Sequence, residues 1–321
     1  MKAAVYYENG GPEVLKYEDV PDPNLHRKGI IIRVEAIAVE GGDTLNRLRG
    51  HMPAKPHVVG YQAAGEIVAV GEEVQHLRVG QKVATTGNWG SHAELRAVPA
   101  RTAWVIPDGL DVRQAAVIPV TFGTADDCLF EFGRLKAGET VLVQAGASGV
   151  GVAAIQLAKR AGAAMVIATA SSDERLERLK PLGLDHGINY SRDDVVKEVR
   201  RLTEKKGVDV VVDPVGGAAL QASLLSLGYR GRVSLVGQAG REGSNVDVSS
   251  LMAGNRSLTG VFLGAELGTD RVHDNIQRLI EEVARGDLQV VIDRTFPLAE
   301  AAAAHAYIES RAAVGRVLLI P

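Results

Sequence analysis

The stretch from Thr140 to Gly162 constrains the fold more than any other part of the chain. An apolar run, Thr140 to Gln144, leads into Ala145-Gly146-Ala147-Ser148-Gly149-Val150-Gly151, and Val152, Ile155, Gln156, Leu157 and Ala158 then carry a helix-length segment as far as Gly162. A strand that turns tightly through glycines into a helix presents the unpaired first N–H groups of that helix, at the positive end of its dipole. Such a turn receives a dinucleotide pyrophosphate. Ordinary strand-to-helix turns also use glycine, so the turn alone is a weak signal. It gains weight from the strand before it, the helix after it, and a second apolar run, Met165 to Thr169, at the distance a βαβ unit requires. Ala147, Ser148, Gly149, Val150 and Gly151 are the expected pyrophosphate contacts.

The same alternation runs on through a helical segment, Glu174 to Leu182, and apolar runs at Val208 to Val212 and Arg232 to Val236. Their continuous apolar character suits strands buried on both faces, so a doubly wound parallel sheet is expected from about Val117 to about Gly260. Before it, up to about Ala100, short β-branched alternating runs such as Ile30 to Ala38, Ala64 to Val70 and Gln81 to Thr85 are broken by Gly and Pro. These predict a bent, mostly antiparallel sheet. After Gly260 come two helical stretches, Arg271 to Gly286 and Leu298 to Arg311, and a terminal strand, Gly315 to Ile320, whose natural host is the N-terminal sheet. The expected class is α/β, with a discontinuous mostly-β domain over 1–120 and 262–321 and a parallel-sheet domain over 121–261. A chain of 321 residues is long enough for two cores.

Hydrophobic residues make up 46% and charged residues 23%, a globular balance, and the net charge is -3. No basic stripe or polybasic segment offers itself to nucleic acid or to a membrane surface, so neither is expected as a partner. Cys128 is the only cysteine, which excludes an intrachain disulfide and a thiolate zinc cluster and suits a reducing compartment. The N-terminus lacks the apolar core of a signal peptide, and no run reaches the roughly 18 apolar residues of a spanning helix. A complete, cytoplasmic protein is expected.

Coenzyme choice depends on the residues just after the second strand, because a ribose 2′-hydroxyl wants an acidic partner and a 2′-phosphate wants donors or positive charge. Here the chain reads Thr169-Ala170-Ser171-Ser172-Asp173-Glu174-Arg175. Ser171, Ser172 and Arg175 suit a phosphate, which points to NADPH. Asp173 is the rival, near the position of a ribose-binding carboxylate. Ser171 with Glu174 three residues on forms a capping box, which would place Asp173 in a first helical turn that favours acids for dipole reasons.

Several further segments, in order along nearly the whole chain, resemble the medium-chain dehydrogenase/reductase superfamily and its zinc-free quinone oxidoreductase branch, the zeta-crystallin type. They are Met1-Lys2-Ala3 with Gly11 to Leu15, Gly60 to Gly65, Ala145 to Gly151, Gly187-Ile188-Asn189-Tyr190, Asp209 to Gly217, Gly231 to Gly237, and Phe296-Pro297-Leu298 to His305 with Gly315-Arg316-Val317. The resemblance implies a GroES-like catalytic domain around a Rossmann cofactor domain, an active site in the cleft between them, and adenosine-phosphate contacts at Ser171, Arg175 and Tyr190. It implies a homodimer through a strand resembled by Val261-Phe262-Leu263, although a buried edge strand would read the same way.

No metal is expected. Zinc-dependent relatives carry an early cysteine, a Gly-His-Glu motif and a further Cys or His; this chain reads Gly60-Tyr61-Gln62 and has no cysteine before Cys128. His51, His57 and His92 lack ligand spacing and are expected at the surface or in a pocket. Without a Lewis acid, the easier chemistry is hydride transfer to an acceptor that already spreads charge onto oxygen, namely a quinone or an α,β-unsaturated carbonyl compound of the enone, acrylate or enoyl type. The family's pocket loop, Asn-Pro-x-Asp with a tyrosine two residues later, becomes Glu40-Gly41-Gly42-Asp43-Thr44-Leu45-Asn46. Glu40, Asp43, Asn46 and Tyr61 are the candidate catalytic residues, with Tyr61 or a water as proton donor. Each is equally readable as a hydrogen-bonded loop group. Thr121 and Thr124 sit where the family holds the nicotinamide end, with helix capping as the other reading, and Trp89 either walls the pocket or packs its loop. Val215, Val236 and Gly237 come after the later strands, outside whose carboxyl ends ligands sit. Two rival readings remain, an NAD-linked alcohol dehydrogenase and a low-turnover NADPH-binding redox sensor or structural protein.

Overall fold

The structure is a computed structural model that describes residues 1–243 and 245–321. Along the chain the elements are β1 (Lys2–Tyr6), β2 (Lys16–Asp19), β3 (Gly29–Val39), α1 (Gly41–Arg49), β4 (His57–Val58), β5 (Gln62–Val70), β6 (Lys82–Thr86), β7 (Leu95–Pro99), β8 (Ala103–Val105), α2 (Val112–Ala115) and α3 (Ile118–Asp126). Next come β9 (Thr140–Val143), α4 (Gly149–Arg160), β10 (Met165–Ala170), α5 (Asp173–Glu177), β11 (His186–Asn189), α6 (Val195–Leu202), β12 (Val208–Asp213), α7 (Gly217–Ser226), β13 (Leu227–Leu235) and β14 (Ser257–Gly260). The last are α8 (Leu263–Glu266), α9 (Asp270–Ala284), β15 (Ile292–Pro297), α10 (Ala301–Glu309) and β16 (Arg316–Ile320). These divide into two compact units, one of residues 1–123 with 264–321 and the other of residues 124–263, the chain passing from the first to the second within α3.

In the first unit a sheet ordered β15-β16-β3-β5-β6-β8, with β7 also on β3, accompanies a small sheet ordered β2-β1-β4. The pairs are antiparallel except β15 with β16. The terminal strand does lie in the N-terminal sheet, Leu318 opposite Ala38. Alternation in β3 buries Ile30, Ile32 and Val34 while Arg33 points outward to Glu66, the period of two that half-buried strands obey. Helix α9 buries Val272, Ile276, Leu279, Ile280 and Val283 on one face, the stripe of a 3.6-residue period, and Thr269 caps its start.

The second unit is built on six parallel strands ordered β11-β10-β9-β12-β13-β14, a Rossmann-type α/β sheet. Its centre is β9, whose Val141, Leu142 and Val143 are fully buried beside Val210, Val211 and Val212 of β12. The order reverses at β9, and the turn leaving β9 therefore opens at the switch point of the sheet. Val261 to Leu263, expected as a strand, are not one: the edge strand β14 ends at Gly260, and Leu263 already begins α8.

Candidate functional site

The turn from β9 into α4 is held from both sides. Ala145 N–H donates to Thr169 Oγ1 at 3.1 Å and Gly146 N–H to the Thr169 carbonyl at 2.8 Å, tying the turn to β10. Ser148 caps α4, its hydroxyl oxygen accepting from Gly151 N–H at 3.1 Å, so one of the orphan donors of the first turn is satisfied by the protein. The residue that turns left-handed is Ala145, at φ +49°, where the sequence pointed to glycine. Gly151 serves a different need: a Cβ there would lie 2.4 Å from the Ala145 carbonyl oxygen and 2.6 Å from that of Gly146. The helix therefore starts close against the turn, and Ala147, Ser148, Gly149, Val150 and Gly151, the expected pyrophosphate contacts, lie together at its start.

Beside the turn, β10 is followed by Ser171 and Ser172. The capping residue of α5 is Ser172, accepting from Arg175 N–H at 3.4 Å, and not Ser171. The helix begins one residue later than the capping box predicted because Ser172 is extended, at φ -152°. Ser171 is thereby released to accept from the Arg175 guanidinium at 2.9 Å, which brings the two expected phosphate ligands together. Asp173 is held by Arg192 through two bonds, at 2.8 and 3.1 Å, and by Asn189 Nδ2 at 3.2 Å; these partners draw its pKa below the usual carboxylate range. Tyr190 comes directly after β11 and is 43% exposed. Ser191 Oγ donates to the Ser171 carbonyl at 2.9 Å, fixing the two strand ends to each other.

Further along the sheet, Val215 and Gly216 N–H groups both donate to Asp213 Oδ1, and Val236 N–H to the Asp213 carbonyl. Gly237 lies against Pro214, where a Cβ would stand 2.6 Å from the carbonyl oxygen. These residues follow the carboxyl ends of β12 and β13. Thr124 is a buried interior residue of α3, so neither it nor Thr121 is a helix cap.

In the first unit, Glu40, Gln62, Thr121 and Arg316 form one buried network. Gln62 Nε2 donates to Glu40 Oε1 at 2.5 Å, and Gln62 Oε1 accepts from Val120 N–H at 2.9 Å. Arg316 forms an ion pair with Glu40 and donates through Nε to Thr121 Oγ1 at 2.9 Å. The Thr121 hydroxyl in turn donates to Glu40 Oε1 at 3.1 Å. Its single hydrogen is directed at Glu40. Burial pushes the Glu40 pKa up, with Arg316, Thr121 and Gln62 acting against it. Asp43 stands beside this network. It is fully buried, one oxygen accepting from Glu40 N–H at 2.8 Å and the other from Tyr61 N–H at 3.2 Å, so it braces the start of α1 against the Tyr61 backbone. Burial raises its pKa to about 8. Asn46 and Tyr61 do meet: Asn46 Nδ2 donates to the Tyr61 hydroxyl oxygen at 2.9 Å, and burial pushes this phenol up to about 12. Trp89 stands 49% exposed, edge-on to His57.

His57 and His92, expected at the surface or in a pocket, are buried. Arg47, fully buried, donates to His305 Nδ1 at 3.0 Å and pairs with Glu309 at 2.5 Å. An arginine can only donate, so His305 must carry its proton on Nε2, which donates to His92 Nε2 at 3.0 Å; His92 Nδ1 then donates to Ser91 Oγ at 3.2 Å. Both imidazoles are thus neutral. Arg47 and Arg192 give no signal in the sequence, since arginine spacing distinguishes neither burial nor partner. Among the described residues no group of three or more His, Cys, Asp or Glu side chains is placed to hold a metal ion, and no helix is long and apolar enough to cross a membrane.

Comparison with known proteins agrees with this architecture. A family model for the alcohol dehydrogenase GroES-like domain matches residues 26–108, and one for zinc-binding dehydrogenases matches residues 149–285. The chain is 34% identical to a quinone oxidoreductase of Pseudomonas aeruginosa over 317 residues, 97% of each protein. It is 33% identical to a 2-haloacrylate reductase of a Burkholderia species, covering 100% of this chain and 99% of the relative. The crystal structure of Escherichia coli quinone oxidoreductase complexed with NADPH superimposes with a TM-score of 0.94 at 28% identity, over the full length of both chains.

Proposed function

Because the chain belongs to the quinone oxidoreductase branch of the medium-chain dehydrogenase/reductase superfamily, we propose that it reduces quinones or alkenes conjugated to a carbonyl, using NADPH. One observation carries the coenzyme half of this reading: the Gly151 turn lies beside a serine and an arginine, Ser171 and Arg175, already oriented on each other at the end of the next strand. The first turn of α4 would hold the pyrophosphate, and Ser171, Ser172, Arg175 and Tyr190 the 2′-phosphate and adenosine. Val215, Val236 and Gly237 would flank the rest of the nucleotide, with Thr124 near its nicotinamide end. NADPH held there would supply a hydride equivalent for the acceptor.

What remains for the protein is to stabilise the negative charge that then develops on the acceptor's oxygen. Tyr61 suits this task. Its oxygen accepts from Asn46, which leaves its own O–H to donate, and a hydrogen bond from Asn46 makes the phenol a better donor. Its raised pKa keeps it protonated at neutral pH, so the final proton comes from Tyr61 or through a water beside it. Glu40, Asp43 and Thr121 are assigned the support of this loop. Zinc independence is argued from the donor set: at the motif where zinc-dependent relatives place histidine and glutamate stand Tyr61 and the Gln62 amide, and neither is a good zinc ligand.

The unit of residues 1–123 with 264–321 is assigned as catalytic domain and that of 124–263 as cofactor domain. Residence in the cytoplasm accords with a single, buried cysteine. A homodimer accords with the open edge of β14 and the exposed Phe262 just beyond it. The experiment is NADPH consumption against a panel of quinones, enones, acrylates, enoyl thioesters and simple alcohols, with metal content measured on the same sample. Turnover of a quinone or activated alkene by metal-free protein, reduced at least tenfold in Tyr61→Phe, is expected. Zinc-dependent alcohol oxidation, or NADPH binding without turnover of any acceptor, overturns the proposal.

A further inference from the structure

The charged side chains at the adenosine end of the nucleotide pocket surround one carboxylate whose presence argues against a phosphate. Asp173 sits two residues after Ser171, on the first turn of α5, where an acid facing a ribose selects a 2′-hydroxyl. Left ionised and unpaired, it would repel a 2′-phosphate. It is not left so. Arg192 embraces it through both terminal nitrogens, at 2.8 and 3.1 Å, and Asn189 donates to the same oxygen that the longer of these bonds reaches. Further donors of Arg192 are turned to Asp193, at 3.1 and 3.2 Å.

This disposition separates two roles that an arginine near a phosphate can play. Arg175 points at Ser171, a hydroxyl that a phosphate oxygen can replace or join. Arg192 has its guanidinium committed to two carboxylates. It therefore acts on a phosphate through Asp173, by cancelling that charge and occupying the acceptors that would otherwise bind a ribose diol. The pair is 61% and 59% exposed, and exposed ion pairs add little to stability, so the fold has small need of it.

We infer that Arg192 is the positioning residue that sets coenzyme preference, holding Asp173 away from the role of a ribose ligand, and that without Arg192 the pocket turns toward NADH. The inference rests on the NADPH reading above. The order of Asn189, Tyr190, Ser191 and Arg192 explains how one short segment does this: Ser191 fastens it to Ser171, Asn189 and Arg192 grip Asp173, and Tyr190 is left exposed between them.

The test is calorimetric binding of NADPH and of NADH, with no acceptor present, to the full-length protein and to Arg192→Gln, Arg192→Lys, Asp173→Asn and the double variant Arg192→Gln/Asp173→Asn. One unit charge a few ångströms from a phosphate in a partly screened pocket is worth about tenfold in affinity. R192Q is expected to lower the preference for NADPH over NADH by about tenfold or more, R192K to stay near wild type, and the double variant to recover most of the lost preference. Melting temperatures of the variants should stay close to wild type. An unchanged ratio in R192Q overturns the inference, and so does failure of the double variant to recover, since that would make Arg192 a direct phosphate ligand. Wild-type protein that binds neither nucleotide would overturn the NADPH reading itself, a result distinguishable from both.

Discussion

Replacing Gly151 by alanine sets two opposed effects against each other, and the geometry decides which wins. Gly151 lies inside α4 with an ordinary negative φ, so its conformation is open to any residue, and alanine is favoured over glycine in a helix by about 1 kcal/mol. The added Cβ, however, would stand 2.4 Å from the Ala145 carbonyl oxygen, 2.6 Å from that of Gly146 and 2.7 Å from the Gly146 carbonyl carbon. The first distance is roughly 1 Å short of the ~3.3 Å at which carbon and carbonyl oxygen ordinarily rest. The obstacles are backbone, anchored by Ser148 N–H on the Ala145 carbonyl and by Gly146 N–H on Thr169, so they cannot swing aside as a flexible side chain would. Overpacking of this kind costs about 1–3 kcal/mol, and a rigid obstacle places it at the upper end. The net expectation is a loss of about 2 kcal/mol, seen as a fall in Tm of several degrees for a unit this size. The carbonyls that retreat belong to the turn itself, so NADPH affinity, read by calorimetry, should fall more than tenfold. A Gly151→Ala protein that melts higher and binds NADPH as tightly as wild type would show that helix propensity alone governs the position and that the turn is not a pyrophosphate cradle.

Ala145→Gly relieves a left-handed alanine, a gain of about 1–2 kcal/mol offset by the greater chain entropy of glycine, so the variant should melt within a few degrees of wild type or slightly above it and keep NADPH affinity. Glu40→Gln leaves the buried Arg316 guanidinium without its carboxylate, and thermal unfolding should show a loss of about 3–5 kcal/mol with the quinone or alkene reductase activity falling alongside. The His92 and His305 pKa values are held below 6.5, His92 at about 3, by burial first and by neighbouring positive charge second. The folded protein thus binds fewer protons than the unfolded chain, so stability is full above pH 6.5 and is lost as pH falls toward 3, each histidine contributing up to about 1.4 kcal/mol per pH unit. His305→Gln, whose amide can accept from Arg47 and donate to His92, should remove about half of that slope in chemical denaturation measured from pH 7 to 4.5.

What was legible in the sequence was local. The β9 turn, the parallel strands and α9 emerge from periodicity within a dozen residues, and the terminal strand had few places to go. What stayed hidden depends on residues brought together from afar or on single-residue offsets. Arg47, His92 and His305 give no local sign of meeting, for His92 and His305 are separated by more than two hundred positions, and arginine is ordinarily expected outside. Asp43 was legible as a polar loop residue. Whether its oxygens face a substrate or the N–H of Tyr61 depends on how β5 packs on α1, which spacing does not encode. The cap of α5 shifted by one residue because Ser171 and Ser172 are chemically identical caps, and only the backbone angle chooses between them. Ala145 carries the left-handed turn amid glycines that had a better claim to it by residue type.

Gln62 shows how one side chain decides the character of the whole loop. It stands at the motif position where zinc-dependent relatives carry a glutamate, and it uses both ends of its amide, Nε2 toward Glu40 and Oε1 toward Val120 N–H. A carboxylate there could only accept. It would face Glu40 at 2.5 Å with no hydrogen to share, and two buried carboxylates so close cannot both stay ionised. The amide removes that conflict and leaves Glu40 as the network's one carboxylate, balanced by Arg316. A metal site needs the opposite arrangement, several electron-pair donors turned toward one point with a cation supplied from outside. Here the cation is a side chain of β16, and the lone pairs of Glu40 already accept from Gln62, Thr121 and Arg316. The loop of Glu40 to Asn46 is therefore fixed by hydrogen bonds internal to the protein, and that rigidity supports the role proposed for Tyr61 and Asn46 in answering the charge on a substrate oxygen.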